Sequence, residues 1–448
     1  MRSKHDRSNP GQPSKWTRRK LLSAAAAVPA VASVASAAPE TTSGEAAAAG
    51  ADAAVVEPVS KVYGHDSIYT KLFGIRPIVK CRCHTTVWGG SRMPAEVMRA
   101  MLEANEYFVD MYELFEAAGK RIAEVMGAEA AMVTAGGSSA LTLGAAACLT
   151  GTDPDKVRAV PNVTWARREC LIHKAHRDAY DRAFASAGMV TREFESRQEL
   201  VNAIGDETAM LSALAGTEHR PGPPNMVTVQ EILEIGKKGG IPTLVDAADE
   251  IPPENSLTRY TKMGFDLVVF SGGKGLLGPQ STGILAGRKD LIAAAAMNGF
   301  PNTALGRGMK VGKEAVVGLV TAIDLYVSQD HDLVHETWNK KARYIADQLQ
   351  GVPGLQVEYR LTDHVREHAF TDVRVRWDRQ VLPLTGKQVD ERLRAGEPRV
   401  VVELIPARQP SGDSEGFTIY TRNMRDGEEI LAARRLKQFF QSEAKRGA

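Results

Sequence analysis

Between Met126 and Gly287 the chain alternates short apolar runs, rich in β-branched residues, with amphipathic stretches of helical period. The runs lie within Met126–Thr134, at Arg158–Val160, Glu169–Ile172, Met210–Ala215, Thr243–Val245 and Asp266–Phe270, and a last one ends at Leu285–Arg288. Most are continuously apolar between turn-rich flanks, as strands buried on both faces are. Met210–Ala215 leads to Thr217-Glu218-His219. Thr228–Lys238 reads as an amphipathic helix, with Thr228 and Glu231 at capping-box spacing and Gly239-Gly240 as its stop. Strands alternating with helices predict a doubly wound, largely parallel α/β sheet.

The flanking segments extend this picture. Met93-Pro94 opens a long helix, with proline in the first turn where a missing N–H costs nothing. Val97, Met98, Met101, Leu102, Phe108, Met111, Tyr112 and Phe115 recur at helical spacing and predict a stripe for core and subunit packing. A second helical pattern, from Glu314 to about Gln350, leads into a smaller α/β domain. Its expected strands are Leu355–Tyr359, Phe370–Val375, Val400–Leu404 and Phe417–Tyr420, and Thr385-Gly386-Lys387 starts a helix.

Two of the buried runs end on chemistry. The first delivers Asp246; the second delivers Ser271, two glycines and Lys274. Ligands of open α/β sheets bind at the carboxyl ends of the strands, so both residues can meet one ligand. A lysine amine forms Schiff bases, and a carboxylate can keep a pyridine nitrogen protonated, the two demands of pyridoxal phosphate. Alone, an aspartate is more often a cap and a lysine a solvated loop residue; their shared placement at strand ends favours the chemical reading. Upstream, Ala135-Gly136-Gly137-Ser138-Ser139-Ala140 follows a strand and opens an Ala- and Leu-rich helix. Free N–H groups at such a helix start attract phosphate, and the hydroxyls of Ser138 and Ser139 add donors. The turn is neither a Walker A nor a GxGxxG motif.

LVDAADEIPP followed by FDLVVFSGGKGLLGPQSTGILAG resembles the core of bacterial selenocysteine synthase and its relatives, in particular the branch that includes D-glucosaminate-6-phosphate ammonia-lyase. The resemblance runs from about Ile78 to Val327. It implies the aspartate-aminotransferase-like fold (pyridoxal phosphate fold type I), with a mostly parallel large domain and a smaller α/β C-terminal domain. It implies that Lys274 carries the cofactor, that Asp246 pairs with its pyridine nitrogen, and that Gly136, Gly137, Ser138, Ser139 and Ser271 hold its phosphate. His176, which would open the HRDAYD helix, and less strongly His173, are the expected ring-stacking residues. Ser91, ending Gly89-Gly90-Ser91, is expected near the substrate. Arg307 lies in the basic loop Asn302–Lys313, and Arg422 is expected to grip a substrate carboxylate. The implied activity is a lyase acting by α,β-elimination on an amino acid or amino-sugar acid. Transamination, aldol cleavage, racemisation, selenium transfer, or a non-catalytic binding role on the same fold remain open at this point. Fold relatives share cofactor pockets between chains, so a homodimer or higher even oligomer is expected. The expected boundaries are 94–327 for the cofactor-binding domain and 328–448 for the small domain, preceded by an N-terminal segment 59–93.

Composition adds one correction and two exclusions. The 448 residues carry a net charge of +2. Residues 1–37 alone contribute +6, so the remainder is about −4 and a poor polyanion binder. That segment holds Arg18-Arg19, an apolar Ala24–Val34 run and Ala35-Ser36-Ala37, the pattern of a Tat-type export signal, followed by a flexible linker at 38–58. The expectation is an exported, extracytoplasmic enzyme with a small-molecule substrate, no nucleic-acid partner and no permanent membrane anchor. Cys81 and Cys83 share a strand face, but no second ligand pair follows at zinc-finger spacing, so no metal is expected. Pairing among Cys81, Cys83, Cys148 and Cys170 cannot be read from spacing.

Overall fold

The computed structural model describes Tyr63, residues 66–217, 223, 225–360, 372–405, 414 and 416–447. The expected signal and linker, and Glu218, His219 and Phe370, lie outside these residues.

A seven-stranded sheet carries the site. Its strands are β2 (Ala130–Thr134), β3 (Glu169–His173), β4 (Val190–Phe194), β5 (Thr208–Leu214), β6 (Thr243–Asp246), β7 (Leu267–Ser271) and β8 (Gly283–Gly287), in the order β2-β8-β7-β6-β5-β3-β4. The run from β7 to β4 is parallel, whereas β8 is antiparallel to both neighbours. The connection from β7 to β8 contains the lysine turn and no crossover helix, so the chain can only return antiparallel. Alternate residues feed two cores, Val245 and Val268 on one side, Leu244 and Leu267 on the other. This two-sided burial is why the runs are continuously apolar.

A second sheet has the order β1-β11-β12-β10-β9, with β1 (Ile78–Cys81), β9 (Leu355–Arg360), β10 (Asp372–Trp377), β11 (Arg399–Leu404) and β12 (Gly416–Tyr420). β1 pairs in parallel with β11, so an N-terminal segment completes a sheet built from the C-terminal third. Arg92 fastens the same segment by donating to the buried Glu428, which also accepts from Tyr63.

Six helices matter here: α1 (Ala95–Asn105), α2 (Met111–Met126), α3 (Gly137–Thr150), α4 (Lys313–Ser328), α5 (His331–Leu349) and α6 (Glu428–Gly447). Three expectations need correction. The stripe from Val97 to Phe115 is two helices, because Asp110 caps a new start by accepting from the N–H groups of Tyr112 and Glu113. The pattern from Glu314 to Gln350 breaks likewise at Asp330, which caps Leu333. Arg158–Val160 is not a strand: Asp153 caps the helix Pro154–Ala159, and proline sits in its first turn. Thr228 and Glu231 do form the expected capping box, and Thr385 with Gln388 forms another.

Candidate active site

Asp246 stands at the carboxyl end of β6, between the parallel strands β5 and β7. Its Oδ1 accepts from the Ala248 N–H at 2.9 Å. Burial pushes its carboxyl up to about 6, and nearby Asp178 and Asp249 add to the rise, while Ala248 and the charge of Lys274 oppose it. Lys274 Nζ lies 3.7 Å from Asp249 Oδ1.

The glycines around Lys274 serve backbone packing. A Cβ on Gly272 would stand 2.2 Å from Thr282 Oγ1, one on Gly273 2.3 Å from Gln280 Cα, and one on Gly275 2.1 Å from the Ile251 carbonyl oxygen. The turn therefore folds tightly onto the start of β8 and the segment after Asp246, which fixes where Lys274 can point. Ser91 Oγ donates to the Gly273 carbonyl at 2.8 Å and ties the N-terminal segment to this turn.

The second glycine turn joins β2 to α3. Gly136 has φ +90°, a conformation that favours glycine. No side chain caps the start of α3, so its first N–H groups remain available to a ligand. Gly283 on β8 lies so close behind that a Cβ there would be 2.4 Å from the Gly136 carbonyl carbon. A Cβ on Gly137 would lie 3.4 Å from Ala248 Cβ and 3.9 Å from Ser271 Cβ, so the two strand ends and the helix start meet.

They enclose a cavity of about 440 Å³. Of the expected residues, Gly136, Gly137, Ser138, Asp246, Ser271 and Lys274 line it. Others do not. Ser139 Oγ donates back to the Ala135 carbonyl at 2.9 Å. His176 is buried in a 3-10 turn, Lys174–His176, rather than opening a helix; its Nδ1 accepts from the Leu214 N–H at 3.3 Å, and its Nε2 lies 3.2 Å from Thr217 Oγ1. His173 packs on Phe194, its Nε2 3.2 Å from the Glu195 carbonyl. Arg307 is exposed and lies over the Phe300 ring. Arg422 is buried in the second sheet's neighbourhood, donating to Cys83 Sγ at 2.7 Å.

Sequence reasoning missed Thr86, Asp178, Tyr180, Asp249, Glu250 and Gln280, all of which line the cavity. Signals existed for several. Asp249 and Glu250 follow Asp246 at the same strand end, and Asp178 and Tyr180 belong to the HRDAYD stretch in which only the histidine was singled out. Asp178 accepts from the N–H groups of Tyr180 and Asp181 and so shapes that stretch into a turn.

These features fit a phosphorylated pyridine aldehyde. The half-buried carboxyl of Asp246 accepts from one backbone N–H, the uncapped start of α3 offers an anion cradle, and the Lys274 amine lines the same cavity. The cavity is also of small-ligand size.

Comparison with known proteins agrees. The family model described as aminotransferase class-V matches residues 91–378. The chain is 30% identical over 340 residues to the 5'-C-glycyluridine monooxygenase-decarboxylase of Streptomyces sp, covering 73% of this chain and 82% of that one. It is 27% identical to the D-glucosaminate-6-phosphate ammonia lyase of Salmonella typhimurium, covering 83% and 97% respectively. A solved structure of D-glucosaminate-6-phosphate ammonia-lyase superposes with a TM-score of 0.72 at 26% identity, covering 84% of this chain and 99% of that one. The L-seryl-tRNA(Sec) selenium transferase of Moorella thermoacetica is 33% identical over 138 residues, covering 29% of this chain and 28% of the transferase.

Proposed function

The chain belongs to the aminotransferase class-V family and uses pyridoxal phosphate; from that premise we propose that it is a lyase eliminating a β-substituent from an amino acid or amino-sugar acid. One observation carries the reading: Lys274, Asp246 and the uncapped start of α3 share one cavity. The cofactor, when bound, supplies an electron sink for the substrate's α-carbon.

In this proposal the chain's own groups do the rest. Lys274 Nζ would carry the cofactor and would serve as the base that takes the substrate's α-proton. Asp246 holds the proton on the pyridine nitrogen. Gly136, Gly137, Ser138 and Ser271 would receive the phosphate. His176 acts through the backbone, since its ring holds the Leu214 N–H and Leu214 lines the cavity. Ser91 fixes the lysine turn through Gly273, and Arg422 and Arg307 take anionic groups of the substrate, Arg307 across a subunit boundary.

The proposed assembly is a homodimer or higher even oligomer. It is supported by apolar side chains standing in water on and beside α1, of which Phe108 is fully exposed and Leu102 66% exposed. We propose export by the Tat route as well, on the strength of Arg18-Arg19 and the apolar run after it. Among the described residues no helix is long and apolar enough to cross a membrane.

The test is to screen amino acids and amino-sugar acids against the holoenzyme while following the cofactor's absorbance and the products. Elimination yields a keto acid and ammonia without an acceptor; a requirement for a keto-acid acceptor, or retention of nitrogen, overturns it. The Streptomyces relative favours a second reading, oxidative decarboxylation, which oxygen uptake and carbon dioxide release would reveal.

A further inference from the structure

Four carboxyl groups line the cavity of Lys274: Asp178, Asp246, Asp249 and Glu250. Three of them are engaged elsewhere. Asp246 Oδ1 accepts from the Ala248 N–H, and Asp246 is the residue assigned to the pyridine nitrogen. Asp178 Oδ1 accepts from the N–H groups of Tyr180 and Asp181. Glu250 is 4% exposed, and Tyr260 Oη donates to its Oε2 at 3.4 Å. Asp249 differs. Its side chain stands half in solvent, and the charged group it faces is Lys274, with Oδ1 3.7 Å from Nζ. That is an ion-pair separation rather than a hydrogen bond.

Backbone packing sets this approach. The Ala247 N–H donates to the Val269 carbonyl at 3.0 Å and the Glu250 N–H to the Ala247 carbonyl at 3.1 Å, so the chain on both sides of Asp249 is fixed. Further on, the Ile251 carbonyl oxygen meets Gly275 so closely that a Cβ there would stand 2.1 Å from it. Asp249 and Lys274 therefore ride on two turns that are pressed together without help from their charges. A half-exposed ion pair adds little to stability, which leaves the pairing to be explained by chemistry.

An elimination asks for two events at vicinal positions: a base removes the hydrogen from Cα, and the β-substituent departs. Chloride departs unaided, whereas a hydroxyl is a poor leaving group until an acid protonates it. Because the α-hydrogen and the β-oxygen are neighbours, their base and acid must be neighbours too, as Nζ and Oδ1 are. We propose that Asp249 is the general acid for the departing β-group, and that β-hydroxy amino acids, amino-sugar acids among them, are the substrate class. The proposal rests on the reading of the chain as a lyase with Lys274 as its base. Lys274 Nζ takes the α-proton and passes it to the Asp249 carboxylate, and the Asp249 carboxyl gives it to the β-oxygen. Overall, the Cα–H electron pair becomes the second Cα–Cβ bond, and the Cβ–O pair leaves with the oxygen as water. Hydrolysis of the dehydrated amino acid then returns that water and yields a keto acid and ammonia, so no oxidant, reductant or acceptor is consumed.

The test compares leaving groups on the holoenzyme. Keto-acid release is followed from β-chloroalanine, and from serine and glucosaminic acid as the hydroxyl-bearing probes. Asp249→Asn should lower kcat for the hydroxyl-bearing probes by about a hundredfold, the lower end of what general acid catalysis supplies, with KM little changed. Its loss on β-chloroalanine should be no more than several-fold, and Asp249→Glu should recover part of the lost turnover. Equal losses on both kinds of leaving group overturn the acid assignment and reduce Asp249 to a group that positions Lys274. Turnover of β-chloroalanine but of no hydroxyl-bearing probe by the unaltered protein overturns the substrate class. Keto acid from none of the probes overturns the elimination reading, and this inference with it. A second readout needs no turnover. In the cofactor-free protein a water-soluble carbodiimide should join the Asp249 carboxyl to the Lys274 amine as an amide, seen by mass spectrometry as a cross-linked peptide that Asp249→Asn lacks. Absence of that peptide from the unaltered protein overturns the pairing and leaves the lyase reading standing.

Discussion

Asparagine at position 246 should have opposite effects on the empty protein and on the working enzyme. Without the cofactor, the Asp246 carboxyl is pushed from 3.8 to about 6, chiefly by burial. That change means the folded surroundings as a whole disfavour the charged form by roughly 3 kcal/mol. A carboxyl raised in the folded state stabilises the protein while protonated. The contribution is full below the unfolded value of 3.8 and is lost as pH rises through about 6. Asp246→Asn abolishes the charge and can keep the bond to the Ala248 N–H, because its amide oxygen can occupy the place of Oδ1. At neutral pH the cofactor-free variant should therefore be more stable than the unaltered protein, by up to about 3 kcal/mol. The advantage should shrink as pH falls through the window from about 6 to 3.8. With cofactor the order reverses for activity, since an amide cannot hold a pyridinium proton by charge. Denaturant melts of the cofactor-free proteins across this pH range, and turnover of the loaded ones, read both effects. A variant less stable at neutral pH, or equally offset at every pH, would refute the buried-carboxylate reasoning. Unchanged turnover would show that Asp246 does not serve the ring.

Other perturbations probe the remaining parts. Lys274→Ala should abolish the borohydride-reducible chromophore and most activity while leaving the circular dichroism unchanged; a surviving chromophore would mean that another lysine is the attachment point. Gly283→Ala puts a methyl group against the backbone of Gly136. Overpacking of this kind costs about 1–3 kcal/mol, so cofactor should dissociate about tenfold more readily, as dialysis followed by absorbance would measure. Arg307→Ala should lower activity, and mixing it with Lys274→Ala should restore part of it if Arg307 acts in the neighbouring pocket. A fully active monomer in light scattering would rule that assembly out.

How much of this was legible beforehand depended on which kind of signal was being read. The strand ends were legible because β6 and β7 are buried on both faces. Leu244 and Val245, like Leu267 and Val268, face opposite cores, so their apolar runs have sharp ends, and the polar residue after each run must emerge at the sheet's edge. Asp246 and Lys274 were found in that way. Side chains brought in by loops were not. Asp178 and Tyr180 reach the cavity because Asp178 ties off its own turn with backbone N–H groups, an event local to a few residues and invisible to periodicity. His176 looked chemical for its type alone, yet the fold spends both of its nitrogens on Leu214 and Thr217. Helix breaks were missed for a related reason: Asp110 and Asp330 interrupt runs whose apolar spacing carries on across them.

The glycines of Ser-Gly-Gly-Lys-Gly show where residue type and purpose part company. Their density marks a site correctly, but the reason lies behind the lysine. Gly272, Gly273 and Gly275 admit Thr282, the Gln280 backbone and the Ile251 carbonyl at distances no Cβ allows. The turn is thus clamped to β8 and to the chain just after Asp246, and Ser91 holds it from the N-terminal segment. The same N-terminal segment supplies β1 to the second sheet and carries Lys80 and His84. One stretch of chain therefore touches the lysine turn on one side and the small sheet on the other. On that basis Ser91→Ala, which removes the tie to Gly273, should lower turnover while leaving the thermal midpoint of the protein nearly unchanged. A clearly lowered thermal midpoint would mean that Ser91 supports the fold of the segment rather than the aim of Lys274.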